Sequence, residues 1–158
     1  MLSAIPATNE AIELLSFTLG ESIRVHWSLG WPDIFDAIGG TPRLVDNGAV
    51  ALAACTTGFC ANRLPRTGVG FATDGRVFIV VVDGGKKKYS VGMSLQEFAE
   101  FFVQLGGVEA MNLDGGGSST MVVKGEVVNR PSNGNERSVS SALLVLPGPD
   151  DGEPPPSG

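Results

Sequence analysis

Residues 111 to 123 read MNLDGGGSSTMVV. A carboxylate, Asp114, closes an apolar run and is followed by three glycines, Gly115, Gly116 and Gly117, and three hydroxyls, Ser118, Ser119 and Thr120. Three glycines exceed what a turn needs. Successive glycine N–H groups can form a concave nest for an anion, so the run predicts main chain laid bare for a polar, anionic ligand beside a carboxylate. Asp83 repeats the design, after FIVVV and before Gly84-Gly85. A carboxylate at a strand end sits at the rim of the core, where partial desolvation can tune it and rigid flanks can aim it; for Asp83 a plain turn is the competing reading. Two arginines fit the same picture, Arg66 in LPRTGVG and Arg137 in NRPSNGNERSV, because a guanidinium can hold two phosphate oxygens at once. The bland alternative for either is a surface ion pair. Asn129, ending EVVN, could donate its amide to a sugar hydroxyl or cap its loop, and Glu136 completes the acidic set.

Other chemistries are excluded by what the chain contains. One histidine, His26, leaves no multi-histidine metal site, and a Ser-His-Asp triad would have to recruit it from the polar face of a strand. GGGSST lacks the Gly-Lys-Ser/Thr ending of a nucleotide-binding loop and is not a Gly-x-Ser-x-Gly elbow. No EF-hand loop is present. Acid and base work therefore rests on Asp83, Asp114 and Glu136, with Tyr89 a weaker candidate, and neither metal nor cofactor is expected. Cys55 and Cys60, in CTTGFC, are compatible with a small disulfide loop in an oxidising compartment or with two unpaired thiols.

With 158 residues and 42% hydrophobic content, the chain suits one core of ordinary size. Eleven basic against seventeen acidic residues leave a formal charge of −6, which repels a nucleic-acid backbone. The one basic run, Lys86-Lys87-Lys88, reads as a solvated loop. No apolar stretch approaches the ~20 residues needed to span a bilayer, and residues 1 to 20 do not read as a signal peptide.

The elements that must position these groups follow from periodicity. Asn9 can cap a short helix with Ile12, Leu15 and Leu19 on one face, ended by Gly20, and Ile23 to Leu29 alternate as a half-buried strand. Hairpins are predicted around Asn47-Gly48 and Asp74-Gly75, with a third near Lys124-Gly125. Ser94 and Glu97 form a capping-box pattern ahead of a helix facing the core with Leu95, Phe98, Phe102 and Leu105 and stopped by Gly106-Gly107. VEAMNL reads as a buried strand entering the glycine run, and SALLVL as a last strand. The sum is an α+β domain over 1–146, with a mixed, largely antiparallel sheet, hairpins and two main helices. Residues 147–158, PGPDDGEPPPSG, read as a Pro/Gly-rich linker or tail.

NLDGGGSSTMVVKGEVVNRPSNGNERSV, preceded by PRTGVGFATDGRVFIVVVDGG and AIGGTPRLV, resembles the phosphodiester glycosidase family, from about Gly20 to Leu146. The resemblance implies cleavage of a sugar from a 1-phosphodiester of the N-acetylglucosamine type, in a cell-wall or exopolysaccharide context, and an extracytoplasmic or secreted location. It implies a site built from Arg66, Thr67, Asp83, Asp114, Gly115 to Thr120, Asn129, Glu136 and Arg137. Asp114 is the preferred nucleophile or general base, with Asp83 or Glu136 as its partner, and the arginines and loop N–H groups take the phosphate. Two positions depart from the family pattern. Leu64 stands where the family usually has His, and Gly85 where it commonly has Arg. An Asn-Gly segment usual further upstream is missing, so the chain is expected to lack an N-terminal part of the domain, with further domains in a longer chain. The expected partner is a phosphorylated glycan, with no nucleic acid and no membrane span; a non-catalytic module binding phosphorylated glycans is the alternative.

Overall fold

The structure is a computed structural model describing residues 16–18, 20–22, 37–52 and 57–146. The chain divides into two compact units, Met1–Ala37 and Ile38–Gly158. In the first, the N–H and hydroxyl of Thr18 donate to Glu21 Oε2 at 3.0 and 3.2 Å. Most of the expected first helix and the whole expected strand from Ile23 to Leu29, with His26, lie outside the described residues.

The second unit carries a five-stranded sheet in the order β2-β1-β5-β3-β4. Its strands are β1 (Arg43–Asp46), β2 (Ala49–Val50), β3 (Arg66–Phe71), β4 (Val77–Val82) and β5 (Glu109–Asn112). Every described pairing is antiparallel. The predicted hairpins form. Asn47 (φ 50°) and Gly48 (φ 77°) supply the paired positive φ of a tight turn between β1 and β2. β3 and β4 pair in unbroken register from Arg66↔Val82 to Phe71↔Val77. The third hairpin joins β6 (Val122–Val123) and β7 (Glu126–Val127) as a separate two-stranded ribbon.

Helix α2 (Leu95–Gln104) starts where the capping box predicts: Ser94 Oγ accepts the Glu97 N–H at 3.2 Å, and Glu97 returns the contact to the Ser94 N–H at 2.9 Å. Its buried face is Leu95, Phe98, Ala99 and Phe102, packed on Leu44 and Val45 of β1 and Ala110 of β5. Leu105 is only half-buried, and Ala99 takes the fourth core position. Phe98 and Phe102 meet edge to face at 5.0 Å, a favoured aromatic geometry. They can lie flush on β3 because Gly68 has no side chain: a Cβ there would stand 2.8 Å from Phe98 Cε1.

Two elements differ from expectation. A short helix, α1 (Gly58–Ala61), occupies part of the segment read as a cysteine loop. Cys60 within it is buried and disulfide-bonded; Cys55 lies outside the described residues. SALLVL is not a strand. Residues 141–146 have no ladder partner among the described residues, and Leu144, Val145 and Leu146 are 72 to 79% exposed. Apolar, β-branched composition favours a strand only where a sheet edge and a buried face receive it.

Candidate active site

The register of β3 builds the site. Because β3 runs antiparallel to both neighbours, the C-terminal ends of β4 and β5 flank its start, with Arg66 opposite Val82 and Gly68 opposite Asn112. Asp83 and Asp114 leave those two strand ends on either side of Pro65-Arg66-Thr67. Both following loops press on Pro65. A methyl on Gly84 would lie 2.6 Å from Pro65 N, and one on Gly115 2.8 Å from Pro65 O. Side chains are excluded there, so glycine meets a packing demand as well as a turn. The Gly116 N–H donates to Pro65 O at 3.0 Å and the Leu113 N–H to Thr67 O at 2.8 Å, fastening the glycine run to β3. Asn112, 2% exposed, fixes the exit of β5 by donating from Nδ2 to Thr41 O and Leu113 O.

Asp83, half-buried, is an anchor point. Its Oδ1 accepts from Asn129 Nδ2 at 2.9 Å, and both of its oxygens accept from the Arg130 N–H at 3.0 Å. Asn129 also donates to Ser119 O at 3.1 Å and accepts the Met121 N–H at 2.9 Å, closing the β6–β7 ribbon onto the site. Ser119, 1% exposed, accepts the Thr67 hydroxyl at 3.0 Å. Next to it, the hydroxyl of Ser118 accepts a hydrogen bond from Arg137, whose guanidinium also lies 3.5 Å from Asp114 Oδ2. A connected set thus runs from Asp83 through Asn129, Ser119 and Thr67 to Ser118, Arg137 and Asp114, gathered from four separated segments. Thr120 is half-buried beside it.

The geometry departs from the sequence reading at four points. Arg66 starts β3 inside this region, but its side chain is 1% exposed and turned away. Nε donates to Met93 O at 3.0 Å and Nη2 to Phe59 O and Asn62 O at 2.7 and 3.0 Å. Burial pushes the guanidinium below its ordinary pKa. In this structure it is a strut holding three carbonyls, and the exposed guanidinium beside Asp114 is that of Arg137. Asp114 does not share the partial desolvation expected at a strand end: its side chain is 78% exposed. The glycine run is also less bare than expected. Residues 116–118 wind into a 3-10 turn, Ser118 and Ser119 donate back to Gly115 O and Gly116 O, and the Gly115 N–H is taken by Asp114 Oδ1 at 2.9 Å. Glu136 is exposed, and no hydrogen bond or ion pair joins it to the other site residues.

Sequence reasoning missed Ser90, whose hydroxyl donates to Asp83 O at 2.5 Å, and Arg130, whose N–H holds the Asp83 carboxylate. Ser90 carried no signal. Arg130 had one, its place directly after Asn129. No group of three or more metal-ligating side chains occurs among the described residues.

The sequence profile of the phosphodiester glycosidase family matches residues 8–146. The chain belongs to the phosphodiester glycosidase family. It is 41% identical over 68 residues to the bovine N-acetylglucosamine-1-phosphodiester alpha-N-acetylglucosaminidase, covering 43% of this chain and 12% of that protein. To the Bacillus subtilis SPbeta prophage-derived uncharacterized protein YomE it is 37% identical over 87 residues, 55% of this chain and 13% of the relative. Among solved structures, it is similar to the zebrafish N-acetylglucosamine-1-phosphodiester alpha-N-acetylglucosaminidase catalytic domain auto-inhibited by its pro-peptide. That similarity has a TM-score of 0.54 and 29% identity, over 60% of this chain and 34% of the other. The chain therefore spans about an eighth of the curated relatives it matches and a third of the solved catalytic domain. No helix among the described residues is long and apolar enough to cross a membrane.

Proposed function

We propose that this phosphodiester glycosidase domain hydrolyses a sugar 1-phosphodiester of the N-acetylglucosamine type, on a cell-wall or exopolysaccharide substrate outside the cytoplasm. The observation that carries this reading is the pairing of an exposed carboxylate with an exposed guanidinium, Asp114 with Arg137, on a turn held rigid by Thr67, Ser119, Asn129 and Asp83. The disulfide at Cys60 supports an oxidising compartment.

The phosphate of such a substrate is already anionic and a competent leaving group, so charge stabilisation matters more than proton donation. Arg137 and the Ser118 hydroxyl face outward to receive two phosphate oxygens. Water attacks the anomeric carbon, the bond from that carbon to the phosphate oxygen breaks, and its electron pair stays on the phosphate. The water's proton passes to Asp114, or Asp114 itself forms the first bond to the sugar and water displaces it afterwards. The anomeric configuration of the released sugar, read by NMR, separates the two routes. Asp83 acts as a positioning residue, because its carboxylate is committed to Asn129 and Arg130.

The test is release of free N-acetylglucosamine from N-acetylglucosamine 1-(methyl phosphate) by the purified chain and by its Asp114→Asn variant. Turnover that falls by roughly 10²–10⁴ in the variant is expected. Full turnover by Asp114→Asn would refute the assignment. Binding of the diester without sugar release would make this chain a phosphoglycan-binding module.

A further inference from the structure

Four of the chain's eleven basic side chains, Lys86, Lys87, Lys88 and Arg130, line one open pocket of about 460 Å³ together with Tyr89. The lysine run is exposed on a turn, as a solvated loop predicts, and that turn is closed by main-chain hydrogen bonds. Lys86 and Ser90 exchange both main-chain hydrogen bonds, at 2.9 and 2.8 Å, and the Tyr89 N–H closes on Lys86 O at 2.7 Å. The lysines are thus carried on a pinned turn. Arg130 lies 4.1 Å over the Tyr89 ring, which orients its guanidinium.

The charge pattern adds a second argument. Arg43, Arg63, Arg76 and Arg137 each have an acidic partner, and Arg66 is bound to carbonyls. None of the four cations of the pocket has an acidic partner among the described residues, nor has Lys124 on the β6–β7 turn; what sets the four apart is that they line one hollow, in a protein of formal charge −6. Four cations gathered on one face present a local positive field that attracts a polyanion, most strongly at low salt. The pocket is also tied to the proposed active site on both walls. Ser90 donates to Asp83 O at 2.5 Å, and the Arg130 N–H donates to the Asp83 carboxylate at 3.0 Å.

We propose that this pocket is a subsite for additional phosphates of an oligomeric glycan phosphodiester, so that the substrate is a polyanion engaged at several repeats. The inference rests on the proposed function for the identity of the neighbouring site. A single phosphodiester carries one negative charge, which Arg137 is placed to meet; four more cations call for more anions. Tyr89, 55% exposed, offers its hydroxyl and ring edge to the intervening sugar.

The experiment is calorimetric titration with two probes, N-acetylglucosamine 1-(methyl phosphate) and a tetramer of N-acetylglucosamine 1-phosphate units joined through phosphodiesters. The natural chain should bind the tetramer roughly tenfold tighter than the monomer, about what two added exposed ion pairs supply. That ratio should fall to within about twofold when Lys86, Lys87 and Lys88 are all changed to Gln, and again in Arg130→Gln. It should survive when the three lysines become Arg, which keeps the charge. No preference in the natural chain would overturn the proposal. So would an unchanged ratio in the Gln variants, or equally tight binding of a DNA oligomer of the same charge. Sugar release is followed in parallel. Turnover of the monomer without a tetramer preference defeats the subsite and leaves the proposed function standing. A lysine-dependent preference without sugar release does the reverse.

Discussion

Replacing Arg66 with Met tests whether this arginine supports the fold or meets a ligand. Met keeps much of the length and removes the charge. Three carbonyls, those of Phe59, Asn62 and Met93, then lose the guanidinium's hydrogen bonds in a region where the side chain is 1% exposed, Met93 O alone keeping a second donor, the Leu64 N–H. Hydrogen bonds to a charged group contribute ~1.5–3 kcal/mol each, so the gross loss is about 4.5–9 kcal/mol. Relief of the guanidinium's desolvation, the same effect that lowers its pKa, offsets several kcal/mol. A net destabilisation of about 3–5 kcal/mol is expected. For a chain of this size each kcal/mol moves Tm by roughly 2–4 °C, which gives a fall of about 6–20 °C. Arg66→Lys should lie between Met and the natural residue, because an ammonium cannot span three acceptors in the geometry of a planar fork. Urea unfolding followed by circular dichroism measures both variants, with the midpoint shifting at unchanged slope. A loss below about 1 kcal/mol, accompanied by lost affinity for the sugar diester, would refute the strut and return Arg66 to the phosphate.

Gly115→Ala places a methyl 2.8 Å from Pro65 O, a main-chain atom that cannot swing aside. A loss of about 1–3 kcal/mol is expected in urea unfolding, with a reduced kcat as Asp114 is displaced. Asn129→Asp sets a carboxylate against Asp83 at the present 2.9 Å contact and removes the donor to Ser119; it should cost about 2–4 kcal/mol at pH 7 in urea unfolding, and Asn129→Ser, which adds no charge, should cost less. Arg63 beside Glu97, with the Ser94 N–H, holds that carboxyl at about 2, against an ordinary value of 4.5. The folded pKa is depressed, so its stabilisation is complete above about pH 4.5 and is lost as pH falls through 2. Glu97→Gln should accordingly destabilise the chain at pH 7 by roughly 0.5–1.5 kcal/mol, and the gap should close near pH 2 in an acid titration of Tm. Arg137→Gln should raise KM for the diester more than it lowers Tm, since its guanidinium is half exposed.

The hairpins and the capped helix were legible because each is written in local chemistry. Asn47-Gly48 and Ser94 to Glu97 specify their geometry within four residues. The neighbourhood of Asp83, Asp114, Asn129 and Ser119 could be suspected from residue types, although only the placement of β3 between β4 and β5 joins them. The direction of the Arg66 side chain was not legible. It depends on three carbonyls from α1 and the Met93 segment, and no pattern around position 66 announces them. SALLVL misled for the converse reason: strand composition is local, and a strand's partner is not.

Pro65 leaves no room for a side chain at Gly84 beside its nitrogen, on the loop that carries Asp83, or at Gly115 beside its carbonyl, on the loop that carries Asp114. The gap between the two acidic arms is consequently gauged by the length of one rigid residue in a ring-locked conformation. Neither arm can slide toward the other without moving β3 and the phenylalanines seated on it. The spacing of the two loops is thus a property of the sheet itself, inherited from the strand that separates them.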